Sequence, residues 1–373
     1  MKQLVVCPHD FHLHYRDIIA HGELVLMDEI VPYALIERED LKFDPEKNPD
    51  KVLVRKLAFS CNYRDVSLIK TVHQTIKNKK DLTYFVIGSE FSGVVVNIGV
   101  NVTKVKVGDR VLCDAFYPYV PGKHAPQGLP TNHASSELEI IHELKLAIMP
   151  DNMPFSIGGA FPVGAQTTYS MIEKLNINDG ERILITGIKS NTSLFALNAL
   201  KDKNVELSGL ARGNVDEDFF KNLGIKNIFY VPDDCESLLD NTKIMDYIKL
   251  NGKFDCVIDP FSDSYLFMLL DFINVGGRYI TCGLSNQTAY KPTTVNLAAQ
   301  LSKVINGNIT IIGNCLGSTE NLNKALNDFA SNRYDVIIDN VISNDIHYFM
   351  ERSFVSKEKL GKVVFNYAAP PVE

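Results

Sequence analysis

Apolar and polar positions alternate, with many β-branched residues, along KVLVRKLAFS (51–60), SGVVVNIG (92–99) and DRVLCDAF (109–116). Gly99, Gly108 and Asp109 punctuate these stretches as turns, so each is predicted to be a strand. Short strands at this spacing suggest a compact barrel-like or sandwich unit over residues 1–150. From about residue 150 the rhythm changes. Strand patterns at 181–187, 205–211, 227–231, 254–261, 278–285 and 308–317 follow one another. Between them lie helical patterns at 192–202, 216–224, 236–252 and 264–277. That alternation predicts βαβ units and a parallel, doubly wound sheet. Gly224 and the pair Gly276-Gly277 stand where helix C-caps belong. The tail, 350–367, ends in another strand pattern and is expected to rejoin the first domain. The predicted class is α/β: a β-rich domain over 1–155 and 318–373, interrupted by a doubly wound domain over 156–317. A cleft between the two is the expected place for a small molecule.

Composition agrees with this picture. A chain of 373 residues is too long for one ordinary core. Its net charge of -7 argues against a nucleic-acid partner, because phosphate binding shows as a basic excess. No apolar run is long enough for a membrane span, and the N-terminal apolar patch is too short for a signal peptide. Seven scattered cysteines, an odd number with no C-x-x-C pair, fit a reduced, cytoplasmic protein.

Four segments occur in a telling order: SCNYRDVSLI (60–69), GSEFSGVVVNIGVNVTKVKVGDRV (88–111), GGAFPVGAQTTY (158–169) and FVSKEKLGKVVFNY (354–367). Together the four resemble the medium-chain dehydrogenase/reductase superfamily over nearly the whole chain. The resemblance implies a GroES-like catalytic domain, a Rossmann cofactor domain, hydride transfer with NAD(P), and a dimer or tetramer, with a homodimer the simplest expectation. It also places Thr168 near the nicotinamide or the phosphates.

The Rossmann phosphate loop is unusual. Gly187 can make the turn after the strand 181–187, yet the next residues are Lys189-Ser190-Asn191-Thr192-Ser193 rather than glycines. Small hydroxyl side chains at a helix N-terminus can still form an anion cup, with Asn191 or Thr192 as N-cap. Asn191 also tolerates a positive φ. A decayed site in a non-catalytic paralogue is the competing explanation. The end of the second strand carries no acid for a ribose 2′-hydroxyl; it carries Arg212, whose planar guanidinium suits a 2′-phosphate. Lys189 can add charge. The expected cofactor is therefore NADPH. Asp259, Cys282-Gly283-Leu284 and Asn314-Cys315-Leu316 close later strands at the same edge, with Asp259, Gly283 and Leu284 expected beside the cofactor.

The resemblance also raises the question of zinc. In the zinc branch a cysteine stands three residues before the aspartate matching Asp65, and a histidine precedes the matching glutamate. Here those places hold Asn62 and Ser89, and Cys61 is one position off. Asn and Ser are poor zinc ligands, and nothing suitable sits near Val163. No metal is expected, and Cys61 is expected to be a half-buried strand residue. His9, His12 and His14 are expected on a polar surface, and His133 in a loop that could border the cleft. Without a Lewis acid, hydride addition to an alkene conjugated to a carbonyl is favoured over alcohol oxidation. Tyr63 and Asn62 are expected to face that carbonyl, Tyr63 as donor or acid, with a packed aromatic as the plainer role. Asp65 is expected to orient the segment, Arg64 to pair with a nearby acid, and Glu90 to hold structure. Enoyl thioesters, quinones, enones and dehydroalanine in a peptide, as in lantibiotic biosynthesis, are candidate substrates. A zinc-type alcohol dehydrogenase and a non-catalytic NADPH sensor are the alternatives. The loop 114–131 is expected to cap the cleft.

Overall fold

The computed structural model describes residues 1–27, 29–79, 83–116, 132–232, 235, 237–285 and 295–367. The lid expected at 114–131 therefore lies almost wholly outside the described residues. The chain divides into two units. The first comprises Met1–Val163, Ser318–Ser331 and Val336–Glu373, the second Gly164–Gly317 and Asn332–Asp335.

The first unit opens with β1 (Lys2–Val6), a single helical turn α1 (Phe11–His14), β2 (Ile18–Leu26) and β3 (Glu29–Glu37). It continues through β4 (Lys51–Ser60), α2 (Tyr63–Ile76), β5 (Phe85–Val86), β6 (Glu90–Ile98), β7 (Arg110–Cys113), β8 (Leu138–His142), β9 (Leu146–Ile148) and α3 (Phe155–Gly158). The helix α4 (Pro162–Leu175) leads into the second unit. There β10 (Arg182–Ile185), α5 (Asn191–Leu200), β11 (Glu206–Arg212), α6 (Glu217–Asn222), β12 (Ile225–Val231) and α7 (Thr242–Asn251) follow in turn. After them come β13 (Phe254–Asp259), α8 (Ser262–Leu269), β14 (Ile273–Thr281), α9 (Leu297–Asn306) and β15 (Thr310–Gly313). The chain closes with α10 (Thr319–Ala330), β16 (Ile338–Ile342), α11 (Ile346–Phe354) and β17 (Lys362–Asn366).

The six strands of the second unit form one parallel sheet in the order β12-β11-β10-β13-β14-β15. Numbered within the sheet this is 3-2-1-4-5-6, the order of dinucleotide-binding sheets, with its switch point between β10 and β13. Strands covered on both faces should be apolar throughout. Ile183, Leu184, Ile185, Val257 and Ile258 are indeed fully buried. In the first unit, β16-β17-β4-β6-β7-β9 with β8 on β4 form a seven-stranded sheet, and the tail strand β17 runs antiparallel to β4. A second sheet, β2-β3-β1-β5, is not hydrogen-bonded into it as a strand neighbour but shares its core, where Leu4 and Leu35 join Val54 and Phe59. The hydrophobic and polar pattern had given no separate sheet at the N-terminus.

The long helix expected over 264–277 is a correction. α8 ends at Leu269, and Gly276-Gly277 lie inside β14, where the pairing with β13 shifts register between Phe254 and Cys256. Gly276 has φ +75°. A Cβ on Gly277 would stand 2.5 Å from the Ile273 side chain. The glycine pair serves a bulge rather than a cap. Gly224, with φ +90°, does follow the end of α6 in the left-handed conformation that ends helices. Among the described residues no helix is long and apolar enough to cross a membrane.

Candidate active site

The segment joining β4 to α2 is held by a buried polar network. Asn62 is the N-cap of α2, and Asp65, at the third helical position, completes a capping box with it. Asn62 N–H donates to Asp65 Oδ2 at 2.6 Å, and Ser89 Oγ donates to the same oxygen at 2.7 Å. The Asn62 amide nitrogen donates to Ser89 Oγ at 2.9 Å and to Glu90 Oε1 at 2.8 Å. Glu90 Oε1 also accepts from Ser60 Oγ, and Oε2 accepts from the backbone N–H of Val163 at the start of α4. Burial raises the Asp65 carboxyl above the ordinary aspartate range, opposed mainly by the Arg64 charge 3.8 Å away.

Asn62 and Asp65 therefore orient the turn, with their polar atoms mostly committed to each other and to Ser89 and Glu90. Tyr63 opens α2 and is 51% exposed. Arg64 donates to Asn132 Oδ1 at 3.2 Å. Cys61 is buried, and that burial holds its thiol well above its usual range. The backbone carbonyl of His133 accepts from the fully buried Lys56 ammonium.

Lys362 is the residue that sequence reasoning missed. Its ammonium reaches Glu90 Oε1 at 2.5 Å, Asn62 Oδ1 at 2.8 Å and the Cys61 carbonyl at 3.2 Å. A lysine inside the apolar run LGKVVF was the available signal, because a buried ammonium demands partners. Beside it, burial and then the Lys362 charge lower the Lys359 amine to about 8.

In the second unit, Gly187, two residues past the end of β10, has φ +50°, and a Cβ there would meet the Phe261 ring at 2.8 Å. A Gly187→Ala variant is expected to lose about 1–3 kcal/mol of stability and to weaken cofactor binding, as read by urea melts and nicotinamide titration. The N-cap of α5 is Ser190, not Asn191 or Thr192. Its hydroxyl accepts from Ser193 N–H at 3.2 Å and pairs with Ser193 Oγ at 2.9 Å. Ser193 is fully buried and donates to the Thr186 carbonyl at 2.7 Å, so it packs helix on strand where a third glycine would. The tolerance of Asn191 for a positive φ is not used; Asn191 is the first helical residue. Asn191 and Thr192 remain partly exposed at the helix N-terminus, and Lys189 makes no ion pair among the described residues.

Arg212 closes β11 with its guanidinium carbon 5.0 Å from the centre of the Tyr265 ring, and its Nε is buried without a hydrogen-bond partner. Thr168 on α4 is likewise fully buried with an unpartnered hydroxyl. Asp259 is fully buried. It accepts from Thr186 Oγ1 at 2.5 Å, from Phe261 N–H at 2.8 Å and from the Tyr279 hydroxyl. It ties strand ends together around the switch point. Gly283 caps β14, its carbonyl accepting from Ser262 N–H and Oγ, with Leu284 next and partly exposed.

Residues 48–169 match the alcohol dehydrogenase GroES-like domain. A zinc-type alcohol dehydrogenase-like protein of Schizosaccharomyces pombe is 22% identical over 352 residues, covering 91% of this chain and 97% of its own length. A quinone oxidoreductase of Pseudomonas aeruginosa is 32% identical over 165 residues, 44% of this chain and 45% of its own. The solved structure of a 2-octenoyl-CoA carboxylase reductase, in complex with NADP and 2-octenoyl-CoA, superposes with TM-score 0.74 at 18% identity, over 100% of this chain and 88% of that one. Residues 48–169 thus match a GroES-like dehydrogenase domain, and the whole chain shares the fold of these dehydrogenase and reductase structures.

The Schizosaccharomyces pombe relative is named as zinc-type. The positions that would hold zinc do not fit the metal: Asn62 and Ser89 are an amide and a hydroxyl, both engaged in the buried network, and burial raises the neighbouring Cys61 thiol. A dinucleotide is a better fit. Gly187, the N-terminus of α5, the buried Thr168 hydroxyl and the unpartnered Arg212 Nε would hold its phosphates and ribose.

Proposed function

We propose that this chain is a medium-chain dehydrogenase/reductase, an NADPH-dependent reductase of carbon–carbon double bonds conjugated to a carbonyl, working without a catalytic metal. The observation that carries the reading is the donor set at 62 and 89, an amide and a hydroxyl held in a closed hydrogen-bond network. It supplies no Lewis acid for polarising an unactivated ketone or alcohol. NADPH, when bound, supplies the hydride to the β-carbon. Charge then moves to the carbonyl oxygen, and the α-carbon takes a proton. Tyr63 donates the hydrogen bond or proton. Asn62, Asp65 and Glu90 fix the turn that carries it. Arg212 binds the 2′-phosphate, with Tyr265 as its platform. The resemblance to a quinone oxidoreductase and to the fold of a 2-octenoyl-CoA carboxylase reductase supports quinones or enoyl thioesters over a dehydroalanine peptide.

The deciding experiment follows NADPH oxidation by metal-analysed protein with enones, quinones and enoyl thioesters, before and after chelation. Turnover that survives chelation is expected. Alcohol oxidation abolished by chelation would replace this reading with the zinc-type dehydrogenase, and cofactor binding without turnover would leave a sensor.

A cytoplasmic homodimer fits the same chain. All seven cysteines are unpaired. β15 is an edge strand with Ile311 exposed, and Leu297, Leu301 and Ile305 form an exposed stripe at i, i+4 and i+8 along α9. We place the dimer contact there. A Leu301→Asp, Ile305→Asp variant is expected to sediment as a monomer; an unchanged sedimentation coefficient would move the contact elsewhere.

A further inference from the structure

We propose that Lys362 is a positioning residue of this site: its ammonium fixes the Asn62 side chain, and through it the first turn of α2 that carries Tyr63. The proposal rests on the reading above that Tyr63 serves the reaction.

A lysine ammonium has three donors and no acceptor. Here three acceptors meet it: Glu90 Oε1, Asn62 Oδ1 and the Cys61 carbonyl. The Lys362 side chain is 1% exposed and that of Glu90 is not exposed at all. The placement follows from strand register. Val364 pairs with Ser60 across β17 and β4, so two residues further along the antiparallel pair Lys362 comes to lie against Asn62.

A buried ion pair of this kind is weak evidence for stability, since an apolar pair of similar volume is often as good or better. Its geometry shows another use. The Asn62 amide has two ends of opposite character, and each has one kind of neighbour. Oδ1 faces the ammonium, while Nδ2 faces Ser89 Oγ and Glu90 Oε1. With the ammonium gone, Oδ1 keeps only the Asp65 backbone N–H of the capping box, and the flipped amide would set its nitrogen against the Cys61 carbonyl side of the pocket. The N-cap of α2 would then lose its single orientation, and Tyr63, one residue on, would lose its fixed starting point. Misplacement of about an ångström costs reactions of this kind up to about 100-fold in rate.

The test compares Lys362→Met, Lys362→Arg and Lys362→Ala with the parent protein in three readouts: NADPH affinity, kcat against KM, and the side-chain amide resonances of Asn62. Those resonances are seen in protein labelled with ¹⁵N-asparagine and are identified by their loss in Asn62→Asp. Lys362→Met is expected to shift the Asn62 amide pair and to lower kcat by about 30-fold, with NADPH affinity and KM little changed. Ethylammonium is expected to restore much of the rate to Lys362→Ala, and ethanol is not. If Lys362→Met leaves Glu90 charged and does not fold, the charge-matched Lys362→Met, Glu90→Gln pair takes its place with the same expectations. An unmoved Asn62 amide pair would overturn the proposal. So would a rate loss that merely follows the fraction of folded protein. Should the parent reduce no conjugated alkene, the functional reading fails by itself, and the amide resonances still decide whether Lys362 orients Asn62.

Discussion

Arg212→Ala is expected to lose about 100-fold in affinity for NADPH while leaving NADH binding within about twofold. Hydrogen bonds to charged groups contribute about 1.5–3 kcal/mol each, and 1.4 kcal/mol is tenfold in affinity. The structure gives this arginine a defined place. It stands at the end of β11, next to the switch point of the sheet, with its guanidinium over the Tyr265 ring and its Nε without a partner. A guanidinium with a free buried donor is a group waiting for an acceptor, and the stacking ring limits where that acceptor can sit. Lys189, at the other side of the turn, adds charge but no fork. Arg212→Lys is therefore expected to fall between the parent and the alanine variant, because a point charge keeps the attraction and loses the paired hydrogen bonds. Titration by nicotinamide fluorescence at two salt concentrations checks this, since an exposed 2′-phosphate contact should weaken with salt. Equal losses for both cofactors would mean that Arg212 supports β11 rather than reading the phosphate.

How far the sequence alone reaches depends on the range of the contact. The parallel sheet was legible because its signal is local: ILI at 183–185 and CVI at 256–258 are buried on both faces and read as continuous apolar runs, each followed by a helical period. The turn at Gly187 was legible for the same reason. The region 264–277 was misread because a glycine pair after an apolar helix looks the same whether it caps the helix or makes a bulge in the next strand. Only the pairing of β14 with β13 distinguishes the two. The N-terminal sheet escaped because β2 exposes Ile19 and Val25 on its outer face, blurring the alternation that marks a half-buried strand. In the site, Asn62 and Asp65 are three residues apart and their capping box is a sequence pattern. Lys362 lies 300 residues away from Asn62, and no local pattern announces which buried carboxylate or carbonyl it will meet. Ser190 was passed over as N-cap because three adjacent residues, Ser190, Asn191 and Thr192, are all good caps, and the turn geometry after Gly187 chose among them.

Tyr63→Phe is expected to lower kcat by about 100-fold and to leave NADPH affinity unchanged, the loss typical of removing a positioned acid. The argument starts from where the phenol is anchored. Tyr63 is the first residue of a fourteen-residue helix whose N-cap and third residue are locked by the capping box. A tyrosine that gives up a proton becomes an anion, and a helix N-terminus favours negative charge by about 0.3–1 kcal/mol. Tyr63 stands at this helix N-terminus with half of its surface exposed. Phenylalanine keeps the ring and removes only the proton and the hydrogen bond. A drop in kcat with KM nearly constant, together with a smaller solvent isotope effect as water takes over, would show that the hydroxyl acts in the transition state. An unchanged kcat would assign the proton to water from the start and leave Tyr63 as an aromatic wall, with Lys362 and Asn62 then shaping a surface rather than aiming an acid.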